Sequence, residues 1–146
     1  MLSGTRVLKP ETLALARRRV LNKHSSLLPA YRGRKAEFWT LYHKDLERLG
    51  VTVHEVDPGL DTGAILLQEK MSFGHHDSHV SLRIRSQDLG ARLLSDAVER
   101  LEREPGWRGA PQPDGDWRTY RAPTLDELTQ YRGRLRELRR EAGGKP

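Results

Sequence analysis

The chain reads as an α/β domain, and three observations predict that class. Two apolar runs, Val51 to Val56 and Ala64 to Phe73, flank the turn-rich loop Asp57-Pro58-Gly59-Leu60-Asp61-Thr62-Gly63, the pattern of two strands joined by a connection. A long segment opened by Asp77 or Ser78 then repeats Leu93, Ala97 and Leu101 at helical spacing to about Arg103, with Leu94 and Val98 widening the face toward a sheet. The 146 residues hold one modest core and no second full domain.

The remaining elements follow in chain order. Pro10 suits a first helical turn, so Glu11 to Arg18 reads as a short helix with Leu13, Ala14 and Ala16 available for packing. Val20 to Asn22 is expected as a buried strand ending in polar residues. Lys35 to Leu49 places Phe38, Trp39, Tyr42, Leu46 and Leu49 close to the helical repeat and stops at Gly50, which predicts one amphipathic helix. Gly90 weakens the long helix without breaking it. From Pro105 to Arg121 the composition turns to Gly, Pro, Asp and Trp, an irregular connection. Thr124-Leu125-Asp126-Glu127 is a capping-box sequence, and Leu125, Leu128, Tyr131, Leu135 and Leu138 then form one apolar stripe. The tail from Ala142 to Pro146 reads as disordered.

Composition narrows the function classes. There is no cysteine, which excludes disulfides and thiolate chemistry and fits a reducing compartment. The opening MLSGTRVLKP lacks an apolar signal segment and no long apolar run occurs, so the expected address is the cytoplasm, with no membrane partner. Net charge is +6 and uneven: 11 basic and 4 acidic side chains in residues 1–50, 5 and 8 in 51–100, and 10 and 8 in the remainder. A basic first third suits an anionic partner, and equally a solvated Arg-rich surface.

The chemistry concentrates at Asn22-Lys23-His24, which opens the loop Ser25 to Gly33. A carboxamide and an imidazole two apart on an extended chain project to one side, where both can donate to one developing negative charge. Asp61 sits downstream inside Gly59-Leu60-Asp61-Thr62-Gly63, where flanking glycines let the backbone turn tightly. Together they read as an acyl-transfer site. Taken singly, Asn22 is a turn cap, His24 a satisfied core histidine and Asp61 a turn residue.

The context decides between these readings. NKHSSLLPAYRG, followed by GVTVHEVDPGLDTGAILLQ at residues 50 to 68, resembles the core of the folate-dependent formyltransferases, which include glycinamide ribonucleotide, methionyl-tRNA and sugar N-formyltransferases. The likeness runs from about Gly4 to Arg103, with both blocks in the family's order and at nearly its spacing. It implies a Rossmann-like formyltransferase fold lacking its amino-terminal βαβ half, because Thr5-Arg6-Val7-Leu8 resembles the middle of that fold and no Gly-rich phosphate loop precedes it. Residues 1–103 are then the carboxyl-terminal half of the catalytic domain and 104–146 an irregular connection plus terminal helix. The implied partner is a chain supplying the absent half, or a second copy meeting an uncovered strand edge.

The resemblance also implies an activity: transfer of a formyl group from 10-formyltetrahydrofolate, without a metal, to a primary amine. Asn22 and His24 would stabilise the oxyanion, His24 as an imidazolium favoured by Asp61, and Asp61 would assist proton transfer. The backbone of Arg6, Val7 and Leu8 and the loop Asp57, Pro58 and Gly59 would line the folate pocket. Arg32, in the Tyr31-Arg32-Gly33 loop that resembles the tRNA and sugar members, would bind a substrate phosphate, and His54 would line the acceptor pocket. That loop favours an amino sugar or aminoacyl acceptor. Hydrolysis of formyl-folate by water is the alternative enzyme, and a silent homologue binding an anionic partner the alternative without catalysis.

Several residues carry blander expectations. His75, His76 and His79 precede a helix and read as a solvated loop rather than a metal cluster. Trp107 and Trp117 flank Pro111 and Pro113 and are expected to pack the irregular segment over the core. Two residues depart from the family pattern: Lys23 stands where an apolar residue is usual, and Ser25 where proline is common.

Overall fold

A computed structural model describes residues 8–16, 19–115 and 117–143. Its centre is a three-stranded antiparallel sheet in the order β1 (Leu21–His24), β3 (Gly50–Glu55), β4 (Ile65–Lys70). A second, two-stranded piece pairs β2 (Arg32–Gly33) in parallel with β5 (Thr119–Tyr120). Helix α1 (Pro10–Ala14) leads into the sheet, and α2 (Ala36–Tyr42), α3 (His79–Arg103) and α4 (Leu125–Gly143) complete an α/β arrangement.

Strand β3 is the spine. Its residues from Gly50 to His54 are all buried, because it is central and its rear face is covered by α3. Helix α3 turns Leu82, Ser86, Gly90, Leu93 and Ala97 inward at helical spacing, while Val98 is exposed, so the apolar face is narrower than the sequence stripe. Ser78 caps it: its hydroxyl accepts the Ser81 N–H at 3.3 Å and the Ser81 hydroxyl returns to the Ser78 N–H at 2.9 Å. Helix α4 packs on α2 through buried Tyr131 and Leu138, whereas Leu125 and Leu128 at its start are exposed. The expected box is present there, with the Glu127 carboxylate accepting the Thr124 N–H at 2.7 Å.

Three elements differ from the sequence reading. The first strand runs Leu21–His24 rather than ending at Asn22, so His24 is also a strand residue, with Asn22 paired to His54 and His24 to Thr52. It is half-buried up to Lys23. The segment 35–49 is not one helix: α2 ends at Tyr42, Lys44 takes a left-handed backbone at φ 57, and Leu46–Arg48 forms a separate 3₁₀ turn. The interruption frees Asp45 to accept the Tyr31 hydroxyl at 3.0 Å, which fixes the loop leading from β1. The first helix stops at Ala14, before Leu15 and Ala16; the end expected at Arg18 lies outside the described residues.

Lys23 and Ser25, the two departures from the family pattern, belong to one group. The Lys23 ammonium donates to the Ser25 hydroxyl at 2.9 Å and to the buried Ser86 hydroxyl at 3.4 Å. Its aliphatic stem lies on Gly90, where an added Cβ would stand 2.5 Å from the Lys23 Cγ. Gly90 thus costs the helix roughly 1 kcal/mol in propensity and makes the space for that stem. Burial pushes the Lys23 ammonium below its ordinary value, opposed by the charge of Glu37.

Candidate active site

The sheet brings four polar side chains together at one end. Asn22 and His54 are direct partners across β1 and β3, and the Asn22 amide nitrogen lies 3.2 Å from His54 Nε2. The loop after β3 returns Asp61 over them, its Oδ1 3.5 Å from the same amide nitrogen and 3.6 Å from His54 Nε2. Its Oδ2 lies 3.5 Å from His24 Nδ1 and accepts the Gly33 N–H at 2.8 Å. Two separated stretches of the chain, 22–24 and 61, therefore lie in contact.

Local rules explain why each group points there. A β-strand alternates its faces, so Asn22 and His24 share the face opposite Lys23. The β3–β4 ladder shifts register between Val53 and His54, next to the site. Asp61 adopts a left-handed backbone at φ 54, which aspartate tolerates. Gly63 is required beneath it, because a Cβ there would stand 1.9 Å from the Glu55 carbonyl oxygen. Thr52 fixes the 25–31 loop, donating to the Ser26 carbonyl at 2.6 Å and accepting the Leu28 N–H at 3.0 Å.

Hydrogen bonds set the tautomers. His24 Nε2 is 2.8 Å from the Tyr31 carbonyl, an acceptor only, so this nitrogen carries hydrogen and Nδ1 faces Asp61. His54 Nδ1 is 2.7 Å from the Glu55 carbonyl, so it donates there and leaves Nε2 as the acceptor for the Asn22 amide.

The expected resting imidazolium is not what this environment favours. Burial pushes His24 below its ordinary value, and the nearby Asp61 charge and the Tyr31 hydrogen bond only partly offset that. Burial raises Asp61, yet its His54, His24 and Gly33 N–H surroundings together hold it below the ordinary carboxylate value. The resting pair is a neutral imidazole beside an ionised carboxylate.

The other sequence candidates divide. Asp57 braces its own loop, with Oδ1 accepting the Gly59 N–H at 3.1 Å and the Thr62 hydroxyl at 2.6 Å, while Pro58 and Gly59 are exposed. Leu8 is half-buried, with no hydrogen bond among the described residues to that loop; Arg6 and Val7 lie outside the described residues. Arg32 is half-buried and donates to Gln112 Oε1 at 2.7 Å, while its Nε is buried without a partner among the described residues. His75 and His76 are exposed, and His79 sits edge-on to Phe38 and Tyr131. Trp107 and Trp117 pack against the core.

Sequence reasoning missed Gln112 and the Gly33 N–H. A glutamine between two prolines in an irregular segment carries no helical or strand period. A backbone donor has no sequence signature beyond the glycine itself.

Residues 3–98 match the family model for formyl transferases. The chain belongs to the formyl transferase family. A methionyl-tRNA formyltransferase of Thermosynechococcus vestitus is 37% identical over 110 residues, 75% of this chain and 32% of that protein. One from Syntrophus aciditrophicus is 46% identical over 94 residues, 64% of this chain and 30% of that protein. This formyl transferase chain spans about a third of the length of the curated relatives it matches.

Among solved structures, the formyltransferase PseJ from Anoxybacillus kamchatkensis, in complex with UDP-4,6-dideoxy-4-formamido-L-AltNAc and tetrahydrofolate, superposes with a TM-score of 0.68. It is 26% identical, and the match covers 88% of this chain and 65% of that one. Phosphoribosylglycinamide formyltransferase from Bacillus halodurans gives 0.59 at 34% identity, covering 66% and 49%. The formyl transferase fold of this chain is thus shared with sugar and purine members alike.

Proposed function

We propose that this chain carries the formyl-transfer centre of an N-formyltransferase that uses 10-formyltetrahydrofolate and a primary amine on an anionic molecule, an amino sugar or an aminoacyl group. The observation that carries the reading is the convergence of Asn22, His24, His54 and Asp61 on one site within 3.6 Å contacts. Family membership supports the chemistry, and the tetrahydrofolate bound in PseJ supports the formyl donor.

Attack of the amine on the formyl carbon makes a C–N bond and places negative charge on the formyl oxygen. Asn22 offers the amide N–H that Asp61 holds only loosely, at 3.5 Å, and it cannot lose that donor by ionising. The proton released by the amine goes to His24 Nδ1, a free lone pair in the resting tautomer, and the Asp61 carboxylate beside it stabilises the imidazolium so formed. That imidazolium then donates to the oxyanion and returns the proton to the departing folate nitrogen. Desolvation keeps the imidazole neutral beforehand and makes the transfer back favourable.

We assign Arg32 to the anionic part of the acceptor, the Leu8 region and the Asp57-Pro58-Gly59 loop to the folate, and the formyl-transfer centre to residues 1–103. Residues 104–146 then act as a strap across it. The test is formyl transfer by the purified chain to a panel of aminoacyl and nucleotide-sugar amines, with a thermal melt in the presence of the folate. Folate at 100 times its dissociation constant adds roughly 2.7 kcal/mol if the pocket exists. Loss of one oxyanion donor in Asn22→Ala lowers the rate on the order of 100 to 1,000-fold. A parental rate in that variant, or a melt that folate leaves unmoved, overturns the reading.

A further inference from the structure

Gln112 hydrogen-bonds both the Asp61 loop and Arg32, beside the direct bond from the Gly33 N–H to the Asp61 carboxylate. Ala110 exchanges both backbone hydrogen bonds with Ile65, each at 2.8 Å, so the segment that follows is delivered against the start of β4. Gly109 permits that approach, since a Cβ there would stand 2.8 Å from the Ile65 carbonyl oxygen. Pro111 and Pro113 flank position 112 and have no N–H to donate, and the Gln112 side chain supplies the donors to the Asp61 loop.

It is almost fully used. Its amide nitrogen donates to the Asp61 carbonyl at 2.8 Å and to the Gly63 carbonyl at 2.9 Å, and its amide oxygen accepts Arg32 Nη2 at 2.7 Å. Asp61 is therefore fixed at both ends: the left-handed backbone by Gln112 and the carboxylate by the Gly33 N–H at 2.8 Å. Without the backbone tether nothing else among the described residues holds the Asp61 carbonyl by a side chain.

We propose that Gln112 is a positioning residue of the formyl-transfer centre: by donating to the carbonyls of Asp61 and Gly63 while accepting from Arg32, it fixes the Asp61 carboxylate against His24 and His54. The inference rests on reading Asn22, His24 and Asp61 as that centre. Gln112 itself touches no reacting atom.

Two variants separate its bonds. Gln112→Glu, at about pH 8 where the new carboxyl is ionised, keeps the acceptor for Arg32 and loses both donors. Gln112→Lys keeps donors for the two carbonyls and loses the acceptor. A misplacement of about 1 Å at a reacting group costs on the order of 100-fold, so Gln112→Glu is expected to lower kcat by about 10 to 100-fold. KM for the folate is expected to change less than kcat, because Gln112 holds the Asp61 and Gly63 end of the loop rather than its Asp57-Pro58-Gly59 end. Gln112→Lys is expected to keep kcat within about 5-fold of the parent, by the same criterion. The reverse order, or parental kcat in both, overturns the proposal.

A carbon-13 titration of the Asp61 carboxyl supplies a readout that needs no turnover. Its midpoint is expected to rise toward the ordinary carboxylate value in Gln112→Glu and to stay in Gln112→Lys; an unmoved midpoint in both overturns the proposal. If Asn22→Ala turns over at the parental rate, the formyl-transfer reading fails and the titration still decides Gln112's role. Gln112→Met, which keeps the shape and loses every hydrogen bond, replaces a variant that does not fold and carries the expectation of Gln112→Glu.

Discussion

One oxygen of Asp61 serves two groups: Oδ2 accepts the Gly33 N–H at 2.8 Å and lies 3.5 Å from His24 Nδ1. The first contact needs only an acceptor, and the second needs charge. Asp61→Asn separates them, since a carboxamide oxygen still accepts from Gly33 but no longer stabilises an imidazolium. The variant is expected to fold, by circular dichroism, and to lose formyl transfer by about 100-fold or more, the range of a general acid–base group.

His54 holds the Asn22 amide from the neighbouring strand at 3.2 Å and is itself held by the Glu55 carbonyl at 2.7 Å. In His54→Phe the half-buried Asn22 amide loses that acceptor and keeps only the Asp61 contact, so stability falls by denaturant melt by at most about 1–3 kcal/mol, the cost of a fully buried unpaired donor. Turnover falls too, because the amide is free to rotate. A melt equal to the parent's would show that water replaces the imidazole at no cost.

Much of this was legible in the sequence, for definite physical reasons. The faces of Asn22 and His24 follow from the two-residue period of a strand, and the α3 cap from a serine at the right place. The family resemblance is what put His54 in the expected pocket, but its direct contact with Asn22 depends on strand register, which no local pattern encodes. The break after Tyr42 was invisible because Lys44 has no turn chemistry: its left-handed backbone at φ 57 is imposed by tertiary contacts, Asp45 with Tyr31 among them. The protonation state of His24 was misjudged for a related reason. A neighbouring carboxylate is readable from spacing, whereas burial, the larger effect here, belongs to the folded chain.

Gly33 has a left-handed backbone at φ 93, and an added Cβ would stand 2.3 Å from the Tyr120 carbonyl oxygen. Gly33→Ala is expected to lower stability by about 1–3 kcal/mol through backbone strain, with further loss if the β2–β5 pair opens. The melting temperature reports it. Because Gly33 donates to Asp61, turnover should fall in the same variant.

Stability should fall on the acid side. His24, His43 and His79 are all held below the ordinary value of 6.5, in each case foremost by burial. The unfolded chain takes these protons first, so the stability they confer is complete above 6.5 and is lost as pH falls through the lowered folded values. Asp61, held below 3.8, adds a further loss at still lower pH. Melting temperatures from neutral pH down to about pH 5 check the first window, and His24→Asn should flatten part of the slope. A flat profile would contradict the burial argument.

The parallel pairing of Arg32-Gly33 with Thr119-Tyr120, together with the Arg32 to Gln112 bond across 80 positions, sets an order of events during synthesis. A nascent chain that has already made Asn22, His24 and Asp61 cannot brace them until the ribosome has delivered the last third. At roughly 5–20 residues per second the residues from Asp61 to Gln112 take on the order of 3–10 seconds, during which the polar end of the sheet is open to water and chaperones.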